Sequence, residues 1–212
     1  MQAFNRVRMK VWRQQPDEFF DVAILEADGT MVETCGEKKQ GIGMNYKKQW
    51  GYHPLVVTLA NTGEPLYVVN RSGNRPSHEQ APFRQIVFAA NDRCDQENTI
   101  SQLKACGALA APLGGLLSNW AYMVIASLAW SLKIWSGLVI RPRGSRQQKQ
   151  QQAETKRRVI RMDFHTFRQC LIQIPAQIIR RSRRLIYRLL SYRQSMEPLL
   201  LIHDNLRRPL RC

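Results

Sequence analysis

Three groups of residues in this 212-residue chain could do chemistry by type and spacing. Asp28 closes an apolar run from Phe20 to Ala27, with Glu26 on the same strand face and Asp21 nearer its start. A carboxylate at a strand end can hold Mg²⁺ or Mn²⁺, hard ions that take oxygen ligands and keep some of their waters. The competing reading makes Asp28-Gly29 a simple turn. Glu97 has Arg93 four residues before it and Lys104 seven after, so on a helix the carboxylate is presented between two cations. A surface charge ladder accounts for that spacing equally well. The third group is Arg180, Arg181, Arg183, Arg184 and Arg188, supported by Arg157, Arg158, Arg161 and Arg168.

The elements that must position these groups follow from local patterning. Phe20 to Ala27 reads as a strand, and Cys35 to Trp50, polar and rich in glycine, as a loop or irregular hairpin connection. Tyr52 to Ala60 and Pro65 to Asn70 are β-rich runs around the turn composition Asn61-Thr62-Gly63-Glu64, which predicts an antiparallel hairpin. Arg71 to Pro82 reads as a loop, and Phe83 to Ala90 as either a strand or a helix start. Asp92 to Lys104 predicts a helix, capped by Asn91 or Asp92, with Ile100 and Leu103 on its apolar side. Leu116 to Ile140 predicts a long helix or a helix pair. Arg141 to Arg158 is a glutamine-rich linker or the solvated start of another helix. Phe164 to Leu190 reads as helical and kinked or capped at Pro175, which aligns Arg180, Arg184 and Arg188 at four-residue spacing.

The charge distribution points the same way. Lys and Arg number 32 against 16 Asp and Glu, a net +16. Residues 1–140 hold only 14 basic and 12 acidic side chains, whereas residues 141–212 hold 18 and 4. The C-terminal third is therefore the part that would face a polyanion. Cys35, Cys94, Cys106, Cys170 and Cys212 lack paired short spacing, and the four histidines are scattered, which argues against a disulfide framework or structural zinc. The basic N-terminus has no apolar run behind it, so a secretory signal is not expected and the chain is placed in the cytoplasm.

The run DRCDQENTISQLK matches the R-x3-E-x6-K part of the Y-x2-R-x3-E-x6-K signature through Arg93, Glu97 and Lys104. With DGTMVET, GYHPLVVTLANTGEPLYVVNRSGN and LSNWAYMVIASLAWSLKIW, it resembles DDE-domain transposases of bacterial insertion sequences over most of the chain. The resemblance implies an α/β fold: an incomplete RNase H-like sheet, strand plus hairpin, followed by a helical, basic C-terminal region. The division it implies is a partial DDE domain over residues 1–140 and the basic region over residues 141–212. By the same resemblance Asp28 is the first catalytic aspartate and Glu97 the glutamate, together binding Mg²⁺ or Mn²⁺. Arg93 and Lys104 would face the phosphate backbone.

Two departures qualify the match. Ala90 stands where the signature has tyrosine. Only 26 residues separate Asn70 from Glu97, too few for the strand, crossover helix and further strand that would carry a second aspartate. Asp92 and Asp95 belong to the glutamate helix or its cap. The expectation is an internally deleted, DNA-associated chain that does not catalyse strand transfer and whose shortened sheet exposes an edge and a face. Double-stranded DNA is the expected partner, contacted by Arg180, Arg181, Arg184 and Arg188. Assembly with itself or with an intact transposase that lends the missing aspartate is a further possibility. The alternative is a small membrane-associated protein with a helix over residues 116–140 and a basic cytoplasmic tail.

Overall fold

In the computed structural model of the chain, residues 2–36, 38–75, 93–190, 193 and 196–207 are described. They form a mixed α/β fold of small antiparallel sheets and six helices, counted among the described residues. The chain divides into two compact units, residues 16–134 and residues 1–15 with 135–212; the division falls inside a single helix, α3 (Leu116–Leu138).

In the unit of residues 16–134 the main sheet has the order β1 (Leu25–Gly29), β5 (Leu55–Leu59), β6 (Glu64–Val69), all antiparallel. The hairpin predicted between Tyr52 and Asn70 is therefore present as β5 and β6. Its turn closes through the N–H groups of Thr62 and Gly63 on the Leu59 carbonyl, at 3.1 and 2.8 Å, with Gly63 at φ +67°. That left-handed conformation is readily open to glycine. A second small sheet orders β2 (Val32–Glu33), β4 (Trp50–Tyr52) and β3 (Gly43–Met44). The polar glycine-rich stretch between Cys35 and Trp50 thus holds an irregular hairpin.

The first strand begins later than the apolar run suggests. Phe20 lies in a turn and Asp21 to Ile24 have no strand pairing, while Asp28 and Gly29 lie inside β1, opposite Val56 and Leu55. Asp28-Gly29 is paired strand, and the chain leaves it afterwards, with the Thr30 N–H on the Pro54 carbonyl at 3.1 Å.

β5 is buried at every position, from Leu55 to Leu59, which requires cover on both faces. The expected bare sheet face is therefore absent at its central strand. Helix α2 (Arg93–Ala105) packs beside β1 and buries Ile100 and Leu103. It ends at Gly107, φ +79°, where the Ala108 N–H returns to the Leu103 carbonyl at 2.8 Å, a left-handed glycine terminus.

Of the two readings of residues 116–140, one long helix or a helix pair, the structure has the single helix α3. The Trp120 indole N–H donates to the Val68 carbonyl at 2.6 Å, and the Trp130 indole N–H to the Gly63 carbonyl at 2.9 Å. These bonds satisfy carbonyls along β6, the edge strand of the sheet, and at the turn before it. The Asn70 side chain donates to the Leu116 carbonyl at 3.2 Å, and buried Asn119 ties Leu113 and Gly115 to the helix start. Lys133 is buried, with its ammonium 4.8 Å from the Trp130 ring centroid. On the opposite stripe Leu117, Ile125 and Leu132 are exposed.

In the other unit, α1 (Gln2–Trp12), to which the sequence patterning assigned no element, meets the end of α3: Phe4 stacks on Trp135 at 5.0 Å. The Gln15 side chain donates to the carbonyls of Val11 and Leu138, both at 3.0 Å, and accepts from Lys156 Nζ at 2.6 Å. Helix α4 (Arg146–Arg161) opens with a capping box between Ser145 and Gln148. It crosses α3 at Gly137, where a Cβ would press on Ile160. A short helix α5 (Phe164–Phe167) leads into a π-helical turn over Arg168–Ile172, and α6 (Glu197–Leu206) packs on α4.

The largest correction to the helical C-terminal reading lies between these helices. The arginine-rich segment is a two-stranded antiparallel hairpin, β7 (Ala176–Arg181) and β8 (Arg184–Leu189). Pro175 withholds the N–H a continuing helix needs, and β-branched Ile178, Ile179 and Ile186 with Tyr187 favour extended backbone. A helix would also have stacked Arg180, Arg184 and Arg188 as repelling neighbours four residues apart.

Replacing Trp120 or Trp130 by Phe keeps the ring and deletes the donor, leaving a carbonyl of the edge strand or its turn without its partner. Each substitution is expected to lower unfolding free energy by about 1–3 kcal/mol in urea titration, with little change in the denaturant slope.

Candidate functional site

Asp28 and Glu26 share one face of β1, as their two-residue spacing requires. Asp28 is half-buried and its Oδ1 accepts the Gly29 N–H at 2.8 Å. Next to it stands a residue that the sequence motifs did not single out. His53 is buried, and its imidazole Nδ1 lies 3.0 Å from the Arg71 guanidinium, which also donates to the His53 carbonyl at 3.0 Å. Gly29 makes this approach possible, because a Cβ there would collide with the imidazole.

Burial is the main reason the His53 pKa falls below that of a free imidazole. The Arg71 cation pushes it further down, the Asp28 carboxylate partly offsets this, and Lys104 adds a smaller downward push. Asp28 and Lys104 are thus both within electrostatic reach of His53. β1 supplies Asp28, the segments flanking the β5–β6 hairpin supply His53 and Arg71, joined by the His53 N–H on the Arg71 carbonyl at 2.8 Å, and α2 supplies Lys104 by packing beside β1.

Glu97 is exposed on α2, seven residues before exposed Lys104, which is about 10 Å along a helix axis. Arg93 begins the same helix. Asp92 and the Phe83 to Ala90 segment lie outside the described residues. Among the described residues, no group of three His, Cys, Asp or Glu side chains could hold a metal ion. Glu26 is the acid that shares the strand face of Asp28, and Glu97 stands on a different element, so no third described acid completes a metal site.

Arg180, Arg181, Arg184 and Arg188, with Arg183, are all exposed on the hairpin. Cross-strand register places Gln177, Ile179, Arg181, Arg184, Ile186 and Arg188 on one face. Arg180 shares the other with Ile178, Leu185 and Tyr187. Ser182 and Arg183 form the turn, with φ +39° and +65°. Both central residues of this two-residue connection are left-handed, the geometry that Asn-Gly normally supplies. Arg181 stands directly opposite Arg184, an arrangement that opposes hairpin formation without counter-charge.

Comparison with protein-family models, curated proteins and solved structures finds no match.

The depressed pKa of His53 fixes a pH dependence. The unfolded imidazole takes up a proton near pH 6.5 and the folded one only at lower pH, so in that window the unfolded chain binds more protons. The His53 contribution to stability is complete above that window and is lost as pH falls through it. Urea midpoints of the native chain are expected to fall more steeply between about pH 7 and 5 than those of His53→Gln.

Proposed function

We propose that this chain is a DNA-binding relative of insertion-sequence transposases that does not catalyse strand transfer. The observation carrying this reading is the arginine hairpin: five exposed arginines between Ala176 and Leu189, with no acidic residue in the segment. Charge of that density attracts the phosphates of double-stranded DNA, and a two-stranded ribbon has dimensions that the major groove admits. Phosphate contacts from Arg180, Arg181, Arg184 and Arg188 position the chain and carry little base information.

The resemblance through Arg93, Glu97 and Lys104, with Asp28 on a strand of an antiparallel sheet, supports descent from an RNase H-like nuclease. The internal deletion accounts for the missing second aspartate. In an intact enzyme of this type, Mg²⁺ or Mn²⁺ would activate the attacking hydroxyl at the phosphodiester and stabilise the leaving oxygen. An intact transposase that lends an aspartate would restore cleavage only in a mixed assembly.

A second reading, insertion of α3 into a membrane, is favoured by its length and composition and by exposed Leu117, Ile125 and Leu132. The bonds of Trp120 and Trp130 to the sheet and the burial of Asn119, Ser131 and Lys133 favour a core helix. If α3 is a core helix, the chain is released from membranes by salt; a requirement for detergent would support insertion.

The DNA reading is tested by titrating duplex DNA at several salt concentrations. Affinity is expected to fall steeply with salt, and replacing the five hairpin arginines by Gln is expected to flatten the slope by about 0.9 for each phosphate no longer neutralised. Salt-insensitive binding would contradict it. No nicking or strand transfer is expected with Mg²⁺ or Mn²⁺; turnover abolished by Glu97→Gln would overturn the inactive reading.

A further inference from the structure

Between β3 and β4 the chain turns through Asn45, Tyr46, Lys47, Lys48 and Gln49, and side chains brace this turn from within. Asn45 Oδ1 accepts the N–H groups of Lys47 and Gln49, both at 2.9 Å, and Asn45 Nδ2 donates to Gln49 Oε1 at 2.8 Å. Gln49 in turn donates to Glu33 on β2. Backbone bonds between Asn45 and Gln49 and from Lys48 to Asn45, both 3.0 Å, complete the turn, with Lys48 at φ +63°. These bonds fix the backbone of the turn, so little backbone freedom is left to lose on binding.

What it presents outward is an aromatic ring. Tyr46 is 89% exposed, and the Lys47 ammonium lies 5.6 Å from its ring centroid. A ring so exposed contributes little to folding, so displaying it on a braced turn points to a ligand with a flat face. The turn forms one wall of a cleft of about 410 Å³, within the range of small-ligand sites. Met31, Met44 and His53 also line it, and Arg75 joins Lys47 in bringing positive charge to it. Lys48 adds a third cation at the exposed tip. Glu33, the acid beside the turn, is engaged by Gln49.

We propose that this cleft binds an unpaired nucleotide, its base stacked on Tyr46 and its phosphates held by Lys47, Lys48 and Arg75. Each part of the ligand has a matching group. A planar base stacks on an aromatic face whatever its identity, and the sulfur-containing side chains of Met31 and Met44 provide polarisable contact for the edge that enters. The phosphates meet Lys47 and Arg75, which line the cleft without an acid among its described walls, and Lys48 at the exposed tip. Other residues than those of the hairpin carry this site, and it selects single-stranded rather than duplex nucleic acid.

The test uses the full chain and fluorescence anisotropy with a labelled oligothymidylate of about six nucleotides, beside a blunt duplex. Tyr46→Ala is expected to weaken single-strand binding by about tenfold while leaving duplex binding unchanged, and Tyr46→Phe to retain it. The chain with all five hairpin arginines changed to Gln is expected to lose duplex affinity yet keep its dependence on Tyr46, which separates failure of this site from failure of the hairpin reading. Thymidine monophosphate that competes in a Tyr46-dependent way would support a free nucleotide as ligand, and oligonucleotide binding without such competition would support a strand. Single-strand binding indifferent to Tyr46→Ala, or lost equally in Tyr46→Phe, would overturn the proposal. So would equal loss of binding to a heparin fragment, which has charge but no base.

Discussion

The sheet of residues 16–134 depends on how its open edge is closed. β6 is the last strand, and its outward carbonyls would otherwise offer a template to another chain. Trp120 and Trp130 answer this with indole donors, one to Val68 within the strand and one to Gly63 at the turn before it. Ten residues apart on one helix, they hold α3 along the edge at two points. The same packing buries Trp130 and half-buries Trp120, so one interaction supplies both hydrogen bonding and apolar cover. With α3 in place and α2 beside β1, the apolar run of β5 is enclosed.

That enclosure makes the electrostatics around Asp28 possible. His53 is held by Arg71 at a backbone carbonyl and at a ring nitrogen, in a place where glycine at position 29 leaves room for the imidazole. Burial and the guanidinium favour a neutral ring, and the Asp28 carboxylate partly offsets them. The hairpin of the other unit concentrates exposed positive charge. Its turn uses Ser182 and Arg183 where glycine would be easier, and Arg181 faces Arg184. An isolated two-stranded ribbon is marginal in water, and a polyanion would relieve the repulsion that makes this one more so.

Much of this fold is legible in the sequence because local and tertiary preferences agree. Two β-rich runs around Asn61-Thr62-Gly63 announce the β5–β6 hairpin, and apolar spacing announces α2 and α3; the capping residues expected for α2, Asn91 or Asp92, lie outside the described residues. The arginine segment misleads because Ile178, Leu185 and Leu189 fit a helical stripe nearly as well as a ribbon, and the deciding signals are Pro175 and the β-branched residues. The His53 and Arg71 pairing is not legible, since it arises from strand pairing across 18 residues. Nor is the rigid Tyr46 turn, whose order comes from the Asn45 and Gln49 side chains in a stretch that composition reads as loop.

If the hairpin of residues 176–189 is a nucleic-acid-binding element, its charge is balanced by a polyanion and its strands are steadied when one binds. Hydrogen exchange of the full chain, with and without duplex DNA at low salt, addresses this directly. Amides across β7 and β8 are expected to slow markedly when duplex is added, and the protection to disappear at high salt. Unchanged exchange in that hairpin while DNA is bound would contradict its role as the DNA-binding element.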